Sequence, residues 1–256
     1  MTTRHGPVLF ARFAYPPNAL GYCGADDHEA LLEYGASGVV DRGLAELART
    51  FEGAWPYLEV IAGSAGIGDP LDGRVVEAYW IGNPLLERVP MERIGTSLTD
   101  RFRGVAGRSW ERLAETIPAG AVPTHAYHVF AVYPWVGLLR TGSTENALHV
   151  LDRCRIRWGQ VVRVEGDAVF VRSRPLLWDG RALLLGAARV EEVVRATDGI
   201  GFVADLEPGA WVALHWEWVC DRLSQRQLRA LRHYTARELD LVNLGVMHSG
   251  PQTVLA

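Results

Sequence analysis

The chain of 256 residues contains no lysine; all 26 of its basic side chains are arginine, which reads first as codon bias in a GC-rich genome. Against 30 acidic residues the net charge is −4, which argues against a protein that binds nucleic acid by neutralising phosphates. Cysteine is scarce. Cys23, Cys154 and Cys220 form neither a CxxC pair nor an even framework. That excludes a disulfide scaffold and leads us to expect reduced thiols in the cytoplasm. Long apolar runs are missing too. The best candidate, residues 126–139, is interrupted by Pro134 and is too short to span a membrane. Residues 1–7 lack the apolar core of a signal peptide. There is no Walker loop, dinucleotide fingerprint, Gly-x-Ser-x-Gly elbow, EF-hand spacing, internal repeat or low-complexity tract. What remains is ordinary for a globular protein: 48% hydrophobic and 22% charged residues, enough for one or two domains with a real core.

The patterning divides the chain into α and β parts, an α+β protein. Residues 1–145 read as a helical domain and 146–256 as a small β-barrel with a closing helix. Asp26 and Asp27 precede a helix start at Glu29. Leu44, Leu47, Phe51, Trp55 and Leu58 recur at helical spacing, interrupted by glycines. Asp69-Pro70 looks like a further start, with Val75, Val76, Tyr79 and Trp80 as the apolar face, ended by Asn83-Pro84. Thr96 or Ser97 opens a helix reaching Ile117. The period over 123–139 is ambiguous and favours helix. Residues 140–144 suit a linker. Beyond them, Glu165-Gly166-Asp167, Asp179-Gly180, Asp198-Gly199 and Glu207-Pro208-Gly209 punctuate short strands, as in a small barrel. Ser224 caps a last helix with Leu228, Leu231, Tyr234 and Leu241 on its apolar face.

Two strand-like segments carry the chemistry. Cys154 opens the first strand between Arg153, Arg155 and Arg157, whose charges would favour its thiolate. In the strand 211–219, alternation puts Val212, Leu214, Trp216 and Trp218 on one face and His215 on the other, less apolar one. Taken singly, a small buried thiol and a half-exposed strand histidine are the plainer readings. In many small barrels the first and last strands are neighbours, so that Cys154 and His215 would converge.

These segments resemble the HypC/HupF chaperones of hydrogenase maturation. Cys154 and Gly159 stand at the offset of that family's opening Cys and Gly, followed by Gln160-Val161-Val162 and Glu165-Gly166-Asp167. Gly209, Trp211, Val212, His215, Trp218 and Val219 match its later motif, and Leu223-Ser224 its closing segment. The match spans roughly residues 150–240. It implies an OB-like barrel with a trailing helix. Such chaperones carry iron as Fe(CN)2CO with the scaffold protein HypD and deliver it to the nickel–iron hydrogenase large-subunit precursor. The family's essential Cys and His correspond to Cys154 and His215, which makes these the implied iron ligands. The family's cysteine is N-terminal, whereas Cys154 is internal. Trp158 replaces the family's Pro, Glu217 replaces the Gly after its His, and residues 174–205 are longer than its middle.

The helical part holds further candidates. Tyr15 to Gly24, with Pro16-Pro17, reads as a rigid loop carrying a third thiol, Cys23. His125 and His128 would share one helix face, as metal ligands often do, though no HExxH or ExxH motif accompanies them. The implied role is a non-enzymatic maturation chaperone. The alternatives are a metal- or thiol-dependent enzyme in the N-terminal domain, recruited to the hydrogenase pathway by the barrel, and an interaction protein without metal chemistry.

Overall fold

The computed structural model describes residues 5–90, 120–132, 135–140 and 144–247. The helix expected over 96–117 lies outside them. The first of these stretches is helical. α1 (Gly6–Ala19) has Pro7 in its first turn, where a missing N–H leaves nothing unpaired, and runs on through Pro16 and Pro17. Half of the rigid loop expected at 15–24 is therefore the end of α1, and residues 20–27 connect it to α2 (His28–Ser37). The apolar series 44–58 is split between α3 (Arg42–Arg49) and α4 (Trp55–Ala65). The Asp41 carboxylate starts α3 by accepting the Leu44 N–H at 2.9 Å. α5 (Gly73–Trp80) does not begin at Asp69-Pro70. Asp69 closes a turn by accepting the Leu71 N–H, and Asp72 caps the helix by accepting from Arg74.

The ambiguous stretch is helical but irregular. Thr124 caps one α-turn, α6 (His125–Tyr127), which widens into a π-helical turn, His128–Val132. Next come α7 (Trp135–Arg140) and α8 (Thr144–Cys154). Cys154 thus ends a helix; it does not open a strand.

The strands are β1 (Arg157–Glu165), β2 (Ala168–Ser173), β3 (Leu176–Trp178), β4 (Leu183–Leu185), β5 (Arg189–Val194), β6 (Ala196–Thr197), β7 (Ile200–Gly201), β8 (Trp211–His215) and β9 (Trp218–Arg222). β1 lies antiparallel between β2 and β8, β2 continues to β5, and β8 to β9. β9 meets β5 through one parallel pair, Val194 with Trp218. The expected turns fall where Gly166, Gly180, Asp198-Gly199 and Gly209 take positive φ. The single strand expected over 211–219 is a hairpin instead, turning at Trp216-Glu217. α9 (Gln225–Met247) opens with a reciprocal cap: Ser224 Oγ accepts the Gln227 N–H at 3.2 Å, and Gln227 Oε1 accepts the Ser224 N–H at 3.0 Å.

Helices and strands share one boundary core. Val161, Val169, Val171, Val193, Val212, Leu214 and Val219 fill the interior of the sheet. On the opposite face of β8 and β9, Ala213, Trp218 and Cys220 belong to the same buried cluster as Phe10, Phe13, Tyr79 and Trp80 of the helices and Leu228, Leu231 and Tyr234 of α9. Gly82, at φ 97°, lets the Tyr234 ring lie where a Cβ would stand 2.1 Å away. β8 is therefore covered on both faces. The less apolar side expected to keep His215 available is sealed by helices, and His215 is 0% exposed.

Candidate metal centre

The position of His215 follows from the hairpin turn beside it. Arg157 pairs with Leu214, so continued register brings His215 level with the junction between α8 and β1. Trp216 holds φ 52°, unusual for a bulky residue though of the hand that suits a tight hairpin. Its N–H donates to the Arg153 carbonyl at 2.7 Å, and Arg157 Nη2 donates to its own carbonyl at 2.5 Å. Its ring stacks on Tyr22 at 4.5 Å. These contacts clamp the hairpin against the end of α8, next to Cys154.

The orientation of His215 is set by α1. Its Nδ1 lies 2.6 Å from the carbonyl oxygen of Phe13. In an α-helix that carbonyl would accept the N–H of residue 17, but residue 17 is proline and has none. The free carbonyl takes the imidazole proton instead, which leaves Nε2 unprotonated. Nε2 is buried and makes no hydrogen bond of regular geometry among the described residues, although the ring also interacts with the Cys154 backbone. A backbone carbonyl on one ring nitrogen and a bare lone pair on the other is the arrangement of a metal-ligating histidine.

His125 comes from the start of α6. Its Nε2 lies 2.9 Å from the Cys154 carbonyl and 3.9 Å from Cys154 Sγ, and its Nδ1 lies 3.2 Å from the Tyr79 hydroxyl. Tyr79 also donates toward the Gly53 carbonyl at 3.1 Å. The rings of His125 and His215 meet edge to face at 5.0 Å, with Trp80 against both at 4.7 and 5.7 Å. One ligand atom each from His125, Cys154 and His215 lies within 4.8 Å of the other two.

Burial governs the protonation of all three. It pushes the His125 pKa down to about 4 and that of His215 well below the usual imidazole range, so both are neutral at pH 7, the form that binds metal. It pushes the thiol of Cys154, itself only partly buried, up as well. This corrects the expectation that neighbouring arginines hold Cys154 as a thiolate. Arg153 and Arg157 pair with Glu191, and Arg155 pairs with Asp152 and the Arg174 carbonyl. The thiolate would form only when a cation displaces its proton.

The other candidates fall outside the trio. His128 stacks 6.4 Å from His125 and pairs through Nδ1 with the Tyr57 hydroxyl at 3.1 Å; burial brings its pKa to about 3. Cys23 is partly buried in the α1–α2 connection, with its thiol pushed up to about 12. Cys220 is buried in β9. His125 stands out in the sequence, but its partnership with Cys154 and His215 does not, nor do Tyr79, Trp80, Phe13 and Pro17 as their supports. The Pro16-Pro17 pair was the one visible signal.

Two imidazoles and a thiolate suit zinc, copper or iron. The 3.9 Å between Sγ and Nε2 exceeds the edge of a tetrahedron with bonds of about 2.3 and 2.1 Å by only a few tenths of an ångström. The buried nitrogen of His215 and this spacing suit a metal ion, with the wider separations in the trio, up to 4.8 Å, closing as the ion binds.

Fold and site thus define an α+β protein with a two-histidine, one-cysteine donor set where its helices meet its sheet. The chain belongs to DUF6390, a family of unknown function whose model matches residues 2–249. No curated protein and no solved structure matches it. Among the described residues no helix is long and apolar enough to cross a membrane.

Proposed function

We propose that this protein is an accessory factor of nickel–iron hydrogenase maturation that holds iron through Cys154 and His215. One observation carries the reading. The register of the HypC/HupF motifs singles out these two residues, and their ligand atoms lie within 4.8 Å of each other although a helix terminus and a distant strand supply them. A thiolate and a neutral imidazole suit low-spin iron bearing strong-field diatomic ligands. The iron unit, Fe(CN)2CO, is cargo and not a resident cofactor, and the chemistry is ligand exchange without turnover. In this reading the five paired strands β1, β2, β5, β9 and β8 form an OB-like barrel. The helical half caps it, and the partners are a HypD-like scaffold or the large-subunit precursor in the cytoplasm.

A second reading has a specific observation behind it. His215 is 0% and His125 6% exposed, which favours a resident ion in a metal-dependent enzyme over cargo that must leave. Anaerobic expression alongside hydrogenase maturation proteins separates the two. Cyanide and carbonyl infrared bands on the purified chain, lost in Cys154→Ala, are the expected result for the carrier. Stoichiometric metal without such bands would favour the resident ion. A chain free of metal under these conditions would overturn both.

A further inference from the structure

We propose that His125 is a third protein ligand to the metal, that Tyr79 positions it, and that the bound ion therefore fastens the helical half to the sheet. This rests on the metal-site part of the reading above but on neither hydrogenase nor iron; the ion class is a borderline to soft first-row divalent cation. Cys154 and His215 belong to the sheet and the helix that leads into it. His125 comes from α6, a separate element from those that carry Cys154 and His215; the π-helical turn directly after it, whose Val129 and Phe130 share a buried cluster with Ala147 and Leu151 of α8, is a feature common at functional sites.

The hydrogen bonds around His125 provide for two tautomers. Without metal, Nε2–H donates to the Cys154 carbonyl, and Nδ1 accepts from Tyr79. With metal on Nε2, the ring proton must sit on Nδ1. The Tyr79 oxygen accepts it there, while the Tyr79 hydroxyl proton turns to the Gly53 carbonyl. Tyr79 thus gives His125 what the Phe13 carbonyl gives His215: a partner for the nitrogen that faces away from the ion. Trp80, packed on both imidazoles, keeps the pair dry. Three protein donors complete all but one position of a tetrahedral site, and the fourth is left for an exogenous ligand.

Cobalt(II) alone, titrated anaerobically into the metal-free full chain, is the probe. The expected result is one ion per chain, with a thiolate-to-cobalt charge-transfer band and the intense visible bands of tetrahedral cobalt. Cys154→Ser should abolish the charge-transfer band and His215→Ala should weaken binding, which tests the underlying site. His125→Ala should weaken binding at least tenfold and alter the visible bands. Tyr79→Phe should weaken it by about 10–100-fold while keeping the charge-transfer band. If His125→Ala fails to fold by circular dichroism, His125→Gln replaces it. Wild-type affinity and spectrum in the His125 and Tyr79 variants, with Cys154→Ser and His215→Ala impaired, would overturn the inference and leave the two-ligand site standing. No effect in any variant, or no binding by the wild-type chain, would overturn both.

Discussion

The imidazole of His215 and the carbonyl of Phe13, 202 residues apart in sequence, share a hydrogen bond of 2.6 Å. It exists because Pro17 brings no N–H to compete for that carbonyl. A carbonyl only accepts, so the bond fixes the tautomer of His215 and turns its bare nitrogen toward Cys154 and His125. A single proline in one helix thereby controls the chemistry of a strand histidine.

Pro17→Ala should restore the helical N–H and draw the Phe13 carbonyl away from His215. The helix should persist, since alanine is its best former. Metal affinity should fall by about tenfold, in the range typical of losing a ligand's hydrogen-bond partner. Cobalt titration of the variant checks this, and wild-type affinity would mean that the carbonyl does not orient the ligand.

The buried histidines should make the metal-free protein sensitive to acid. His125 and His128 have folded pKa values of about 4 and about 3, below the unfolded value near 6.5. The unfolded chain therefore binds more protons below pH 6.5. Their contribution to stability is complete above that pH and declines as pH falls toward 4, by about 1.4 kcal/mol per pH unit for each such group. Urea unfolding from pH 7 to pH 4.5, compared between the wild-type chain and His128→Gln, isolates this contribution: stability should fall less toward acid in the variant.

Glu238 has the opposite sign. It is buried in α9, accepts the Val122 N–H at 3.2 Å, lies near Tyr127 and Arg237, and its pKa is pushed up to about 8 by burial. The folded state keeps a proton that the unfolded state releases above about pH 4.5, so stability falls as pH rises from there through about 8. Glu238→Gln keeps an oxygen acceptor for Val122 and removes the charge. It should raise the unfolding midpoint at pH 8.5 and change it little at pH 4.5. A wild-type midpoint at pH 8.5 would show that the carboxyl ionises without penalty.

The thiols should be sluggish in the folded, metal-free chain. Burial raises the pKa of Cys23, Cys154 and Cys220 alike, which lowers the thiolate fraction. Alkylation by iodoacetamide at pH 7.5 should accelerate by an order of magnitude or more on unfolding. Fast modification of Cys154 in the folded protein would restore the arginine-activated thiolate suggested by its neighbours in sequence.

The features legible in the sequence were those that depend on local chemistry. Gly166, Gly180 and Gly209 mark their turns because only such residues take positive φ freely, and Ser224 marks a helix start. The β8–β9 hairpin was hidden because its turn is Trp216-Glu217, which has none of the usual turn residues and is held by contacts from Arg153, Arg157 and Tyr22. Alternation along β8 separated His215 from Leu214 correctly, but a period of two cannot reveal that helices cover the second face. The β-branched run after Cys154 points to a strand there, yet Ala147, Leu151 and Cys154 keep helical spacing and Cys154 ends α8. Its partnership with His125 depends on helix–sheet packing, which no local pattern encodes.

X-ray absorption at the zinc edge, on the full chain loaded with one equivalent of zinc, tests the metal centre most directly. The expected first shell holds one sulfur at about 2.3 Å and two imidazole nitrogens at about 2.0–2.1 Å, with the sulfur lost in Cys154→Ser. A shell of light atoms only, unchanged in Cys154→Ser and His125→Ala, would show that His125, Cys154 and His215 do not form a metal site.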